Sequence, residues 1–519
     1  MSAGKERKNE TFGWALYGML TLNSAVNIAS ERFGSPDDLS ITTMQTSPIG
    51  LFESARQAAI SQGRIQQILF YSLDNLGLSE KYSFVTPSIK FISVISIFVL
   101  FSLIVKVIYS ERVSLVASLI LVTTAATTGE YNALNSFPLW FTAGIISFQI
   151  SILLFLKLIK SKDKYIFLGF AVTSIFSLLS SEVFFLIFLI YPLLHLKIVS
   201  KGAFSKELRK LKSTYIFIVA SLALYFFTYV MFKVFTNGTY EGARITLANP
   251  IKSIISSIAL SLGQVNIYAL KRQLIENQIE LNILFLSISI ILVFTLYSLF
   301  RTLTKSDIKI SNYEIYCILI IALLGNLLLG FTEKYSRIGL IYPLYLNSLI
   351  SYLFVSLASA LILIKFFNRN FSRIFVILLI GVFGYLSLID QQNAYSKIRL
   401  NQNVFKAAAC ITKNPDLISK INSQVFSPEM QKLSKSYSYN YFGEKFRLST
   451  GKSFYFYQDL KYVDLDKNHT EITIAVKKEY AEGRILNFSQ NKVTEIMDYQ
   501  VFYRDCNFNL VDLTPSQLS

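Results

Sequence analysis

Long apolar runs alternate with short polar loops over residues 12–389, and the pattern predicts about eleven membrane-spanning helices near the roughly 20-residue length a bilayer demands. The predicted spans begin with Phe12–Ser30, Pro87–Ile108 and Val113–Thr128, followed by a fourth that ends at Lys157. Tyr165–Ser180, Glu182–Leu196, Thr214–Val234 and Leu281–Leu299 come next, then Tyr313–Phe331, Ile338–Ile364 and Ile374–Ile389. The loops between them are not equivalent. Lys and Arg concentrate in every second one: Lys5, Arg7 and Lys8 before the first span, then Lys157 to Lys164, Lys197 to Lys212, Arg301 to Lys309, and Lys365 to Arg373. The positive-inside rule places those segments in the cytoplasm and the intervening loops outside.

With the N-terminus inside, residues 31–86 form the first outer loop. Ile65, Ile68, Leu69, Leu73 and Leu76 recur there at helical spacing, which predicts an interfacial helix, preceded by another, with Arg64, Gln66, Gln67 and Asp74 turned toward water or headgroups. The sixth span is expected to follow the fifth through a tight outer hairpin. The ninth and tenth share the outer turn Thr332 to Arg337, and a loop of about 45 residues follows the seventh.

The hydropathy pattern stops at Ile389. Residues 391–519 are rich in Lys, Asn, Ser and Tyr, with period-two runs at Glu471–Val476 and Tyr499–Tyr503 and a helical lead-in near Asn403–Ile411. Such runs predict strands. The expected fold class is an α-helical polytopic membrane protein over 1–390 with a small C-terminal extracytoplasmic α/β domain over 391–519. Cys410 and Cys506 frame that region and are a candidate disulfide, which needs an oxidising compartment.

Composition agrees with residence in lipid: 52% hydrophobic and only 16% charged residues. The net charge of +17 is read as orientation by basic loops, and no nucleic-acid partner is expected. The first apolar run lacks a small-residue cleavage site, so it is expected to be retained as a span. The abundance of Ile, Lys, Asn and Phe and the few cysteines point to a bacterial inner membrane, with the C-terminal domain in the periplasm or outside.

The distinctive polar residues fall on the outer side. Ser35-Pro36-Asp37-Asp38-Leu39 places two carboxylates just after the first span, where either could cap a helix or act as general base toward a sugar hydroxyl. Glu130 and Glu182 stand at outer span ends, where a carboxylate faces either headgroup water or the bundle interior. Arg64, Arg244, Lys271, Arg272, Lys334 and Arg337 are outer cations that break the orientation trend. Glu333-Lys334-Tyr335-Ser336-Arg337 could therefore grip a phosphate, or anchor to anionic headgroups. With His195 and His469 the only histidines, a His-based metal site or dyad is not expected. No Gly-rich phosphate loop is present. No cofactor is required; a divalent ion at Asp37 and Asp38 is compatible with the residues but not demanded by them.

In Asp37-Asp38-Leu39 after the first span, the interfacial helices, and Gln62-Gly63-Arg64 ahead of the second of them, the chain resembles the GT-C superfamily of polytopic glycosyltransferases. The nearer likeness is to bacterial membrane glucosyltransferases that modify O-antigen. The resemblance implies inverting transfer of a sugar from a polyprenyl-phosphate donor to a surface glycan or lipid-linked acceptor, among membrane lipids. It implies Asp37 or Asp38 as base, with Arg64, Lys334 and Arg337 holding the departing phosphate. No aromatic or second basic residue beside the carboxylates chooses between the two aspartates. Two rivals remain: a polysaccharide polymerase that joins lipid-linked repeats, in which Arg244 and Arg272 would dominate, and a lipid-glycan flippase, which would place charges in mid-span.

Overall fold

The computed structural model describes residues 3–30, 48–62, 64, 67–78, 85–127, 132–136, 139–161, 163–198, 211–236, 248–265, 282–303, 310–341, 347–366 and 374–392, with strand residues 456–457, 471–478, 482–489, 492–498 and 511–513. The chain divides into two compact units, residues 1–38 with 45–391, and residues 39–44 with 392–519.

The described part of the first unit is helical, and each predicted span overlaps helix, although the sixth is broken and the start of the tenth, from Ile338, belongs to a separate helix, Glu333–Ile341. Among the described residues, seven helices are long and apolar enough to cross a membrane: α4 (Val85–Ile108), α6 (Phe141–Lys160), α10 (Lys212–Thr236), α12 (Ile283–Leu303), α13 (Asn312–Gly330), α15 (Ser348–Phe366) and α16 (Ile374–Gln392). This is the architecture of a helical polytopic membrane protein.

The other predicted spans fall short of that measure for local reasons. In α1 (Ala3–Ser30) the apolar run is diluted by Asn23 and Asn27, whose amide groups both donate to Gln391 Oε1 at the end of α16. In lipid such a polar side chain must find an internal partner. α5 (Glu111–Thr124) is only 14 residues long, and every residue from Val113 to Thr124 is buried. It packs against α1, α4, α12 and α15. A buried hydroxyl cluster ties it in, with Ser102 Oγ 2.7 Å from Ser118 Oγ and 3.0 Å from the Tyr17 hydroxyl.

The predicted sixth span is broken. It forms a four-residue turn, α8 (Phe184–Ile187), and then α9 (Ile190–Ile198). Pro192 explains the break: it has no N–H for the Phe188 carbonyl four residues back, and its ring crowds that carbonyl. The Tyr191 N–H takes the Phe188 carbonyl instead, at 3.2 Å. Aromatic rings fill the space around the break, among them Tyr191, wholly buried, with its hydroxyl 2.6 Å from Ser151 Oγ. The preceding α7 (Lys164–Ser180) opens with an Asp163 cap that accepts the Tyr165 N–H at 2.7 Å.

Three helices depart from the expected pattern. α11 (Pro250–Leu262) lies within the long loop after the seventh span, where no helix was predicted. Asn249 caps it by accepting the Lys252 N–H at 3.0 Å, and Pro250 holds the first helical position. Its Ser253, Ser256, Ser257 and Ser261 are buried, while Ile251, Ile254, Ile255 and Ile258 are exposed. The predicted outer turn Thr332 to Arg337 is mostly helix, α14 (Glu333–Ile341), which packs against α11 and α13. α11 and α13 meet closely, since a Cβ on Gly330 would stand 2.0 Å from Ser257 Oγ. The third departure is in the first loop, where α2 (Pro48–Ser61) and α3 (Ile68–Leu78) form as predicted but α3 turns its polar side inward.

In the second unit the described residues form a five-stranded sheet in the order β1-β2-β3-β4-β5: Phe456–Tyr457, Glu471–Lys478, Glu482–Ser489, Lys492–Asp498 and Val511–Leu513. β1 pairs in parallel with β2 and the remaining pairs are antiparallel. The predicted strand at Glu471–Val476 lies in β2. The predicted run Tyr499–Tyr503, the helical lead-in Asn403–Ile411 and both Cys410 and Cys506 lie outside the described residues.

Candidate functional site

α2 and α3 pack against each other, with Asn75 Nδ2 on α3 donating to the Leu51 carbonyl on α2 at 2.9 Å. α2 buries one apolar stripe. Its Leu51, Ala55 and Ala59 are buried, and Glu53 and Arg56 form an exposed ion pair at 2.6 Å. The hydrogen bonds from Arg56 hold the Glu53 carboxyl below its ordinary value.

The second interfacial helix requires a correction. Arg64, Gln67 and Asp74 were expected to face water, and all three are buried, at 6%, 0% and 1% exposure. Leu69 and Leu76 are the exposed residues, at 56% and 38%. Among the described residues the polar members of the predicted stripe face inward rather than outward; Ile65 and Gln66 lie outside the described residues. Beside a bundle in lipid, the apolar stripe can face hydrocarbon while the polar stripe finds partners in the protein.

Those partners come from distant parts of the chain. The Arg64 guanidinium makes a buried ion pair with Glu182, at the start of the α8 turn, with only 7% and 12% of the two side chains exposed. Gln67 Nε2 donates to the other Glu182 oxygen at 3.2 Å. Gln62 Oε1 accepts from Arg64 at 3.4 Å and from the Tyr71 hydroxyl at 2.6 Å. Tyr229 on α10 lies close enough to feel both charges of the pair.

A second set of contacts locks the same helix to the start of α6. Asp74 Oδ1 accepts the backbone N–H groups of Leu139 and Trp140, at 2.8 and 3.2 Å. The Tyr71 and Trp140 rings meet with centroids 4.5 Å apart. Trp140 Nε1 donates to the Ser180 carbonyl at the end of α7. Residues from the first loop and the ends of α6, α7 and α10 thus converge on one polar cluster at the face of the bundle opposite the basic loops.

Of the sequence-predicted site residues, the structure brings Arg64 and Glu182 together across 118 positions of sequence. Tyr335 in α14 is 4% exposed, and its carbonyl accepts the Ser256 hydroxyl of α11 at 2.6 Å. Arg337 pairs with Glu333 one turn away at 2.8 Å, largely in the open. Lys334 Nζ stands 5.6 Å from the Tyr335 ring centroid. These interactions of the α14 residues run within that helix or to α11. Asp37, Asp38, Glu130 and Arg244 lie outside the described residues.

Sequence reasoning passed over Lys90, which is wholly buried near the start of α4; a lone lysine in an apolar run was the available signal. It also passed over Gln264, which donates to the Ala126 carbonyl at 2.6 Å and to Asn132 Oδ1 at 3.3 Å. Ser348 at the start of α15 donates back to Gln264 Oε1 at 3.0 Å. Among the described residues, no group of three His, Cys, Asp or Glu side chains is placed to hold a metal ion. No family model, curated protein or solved structure matches this chain.

Proposed function

We propose that this protein is a membrane glycosyltransferase of the bacterial inner membrane, with eleven spans and a small extracytoplasmic C-terminal α/β domain. It moves a sugar from a polyprenyl-phosphate donor to a surface glycan or lipid-linked acceptor on the outer side. The observation that carries the reading is the buried Arg64–Glu182 pair, which fixes the first-loop helix across the mouth of the bundle. A buried pair is a weak source of net stability, because desolvating each ion costs several kcal/mol. Its position at the end of the bundle opposite the basic loops therefore favours a binding role.

In this reading the acceptor hydroxyl gives its proton to Asp37 or Asp38 as its oxygen attacks the anomeric carbon. The bond from that carbon to the phosphate oxygen breaks, and the negative charge develops on the departing polyprenyl phosphate. Arg64 stabilises that charge, with Glu182 and Gln62 fixing the guanidinium, and Lys334 and Arg337 supply cations at the same face. Glu130, Arg244 and Tyr335 complete the proposed donor and acceptor contacts.

The test is turnover by the purified full chain in lipid nanodiscs, offered a panel of polyprenyl-phosphate hexoses and scored by acceptor-dependent release of polyprenyl phosphate. Release is expected with at least one donor. It should be abolished by one of the two single variants, Asp37→Asn and Asp38→Asn, with insertion and thermal stability unchanged, and Arg337→Ala should weaken use of the donor more than of the acceptor. Full activity in both aspartate variants would remove the proposed base, and no release with any donor would reject the enzyme reading.

A further inference from the structure

The half of the bundle nearer the basic loops contains a cavity of about 720 Å³, well within the range of about 300–1,000 Å³ typical of ligand pockets. It is bounded by residues of α4, α6, α9, α13 and α15. Its walls are hydrocarbon, contributed by side chains such as Ile152, Ile321 and Leu357. Polar groups gather at its two ends.

At the basic-loop end, Lys197 and Glu314 form an ion pair at 2.7 Å, only partly buried, with side-chain exposures of 25% and 19%. Lys197 Nζ also sits 4.8 Å from the Tyr109 ring centroid. Burial, with the neighbouring Glu314 carboxylate, holds the Tyr109 phenol above its ordinary value, so that group stays neutral. At the far end Gln149 is 2% exposed. Its Nε2 donates to the Ile97 carbonyl at 3.0 Å, and its Oε1 has no hydrogen-bond partner.

The depth of the cavity matches one leaflet. Along α13 and its Ser311 cap the lining runs from Ser311 to Ile321, ten residues or about 15 Å at roughly 1.5 Å per helical residue. Half of a hydrocarbon core is about 15 Å. A cavity walled by hydrocarbon, with one cation and one anion at its mouth, complements an amphiphile whose chain is about one leaflet long and whose head carries both signs of charge.

The geometry points to a binding site for a zwitterionic phospholipid of the basic-face leaflet, one of its acyl chains filling the cavity and its headgroup lying at Lys197 and Glu314. Lys197 meets the phosphate and Glu314 the ammonium, so the two residues exchange their mutual contact for two like it. The site lies in the opposite half of the bundle from the Arg64–Glu182 cluster and does not depend on the glycosyltransferase reading.

The test uses the full chain in vesicles of phosphatidylethanolamine bearing a diazirine in mid-chain, followed by photolysis and mapping of labelled peptides. Labelling is expected within α6, α13 and α15 at the cavity walls. Ile321→Trp with Leu357→Trp, which fills the cavity, should reduce it about tenfold, a loss of roughly 1.4 kcal/mol of occupancy. Labelling of the exposed flank of α12, at Ile290 and Phe294, should persist and verifies the fold. Unchanged wall labelling in the filled variant would overturn the site. Lys197→Ala should weaken labelling by the zwitterionic probe, whereas equal labelling of both forms would refute the headgroup assignment. Gln149→Leu extends the hydrocarbon wall and should preserve or raise labelling. A fall would mean that the occupant brings a hydrogen-bond donor to Oε1, which an acyl chain lacks, and would refute the lipid assignment.

Discussion

Replacing Arg64 and Glu182, singly and together, measures what holds the first-loop helix to the bundle. Arg64→Leu leaves the Glu182 carboxylate buried beside Gln67 without its counter-ion, and Glu182→Leu strands the guanidinium. Removing one member of a buried pair costs about 3–5 kcal/mol, and at 7% and 12% side-chain exposure this pair belongs to that class. Independent losses would sum to about 6–10 kcal/mol by the same figures. The double variant buries no uncompensated charge. It leaves chiefly Gln67 Nε2 without its acceptor, for about 1–3 kcal/mol, so its loss should be smaller than that of either single variant or no greater. Denaturation in mixed micelles reads these values. A Trp14→Phe background leaves Trp140, beside Tyr71, as the single tryptophan of the two in the chain. Single variants within about 1 kcal/mol of the parent, as for exposed pairs, or a double variant equal to the sum would refute the burial argument.

Three further outcomes follow from the packing. Asp74→Ala should cost about 2–4 kcal/mol, because the N–H groups of Leu139 and Trp140 both lose their acceptor, while Asp74→Asn should restore most of it in the same unfolding assay. Gly144→Ala places a Cβ 2.0 Å from Ser180 Oγ and should cost about 1–3 kcal/mol by overpacking; adding Ser180→Gly should recover the loss, and failure to do so would contradict the α6–α7 contact. A Cβ at Gly18, in the interior of α1, meets nothing within 4 Å, so Gly18→Ala should raise stability in detergent by about 0.5–1 kcal/mol, the usual gain on replacing a helix-interior glycine, and a loss would contradict the open space beside it.

The spans were legible because roughly 20 apolar residues in a row have few alternatives to crossing lipid. Finer features were less visible. Pro192 carried the break in the sixth span openly, but the hydropathy average over Glu182–Leu196 concealed it. α11 escaped because its 13 residues sit inside a long loop and four of them are serine. The inverted faces of α3 and α11 show a deeper limit, since periodicity reveals that two sides differ without saying which one meets hydrocarbon. Of the candidate site, the separate importance of Arg64 and Glu182 could be argued from their positions against the charge trend and at a span end. Their meeting could not, because they stand 118 positions apart with the packing of several helices between them.

The enclosure of α5 has a consequence for biogenesis. A segment walled off from lipid by α1, α4, α12 and α15 leaves the ribosome long before two of those neighbours exist. Its hydroxyls, Ser114, Ser118, Thr123 and Thr124, then have only α1 and α4 to shield them. Thr124 gains its bond to Tyr352 only after 228 more residues have been made. Until then the nascent chain carries an incompletely housed helix, and the membrane insertion machinery must shelter it or tolerate its partial exposure while translation continues.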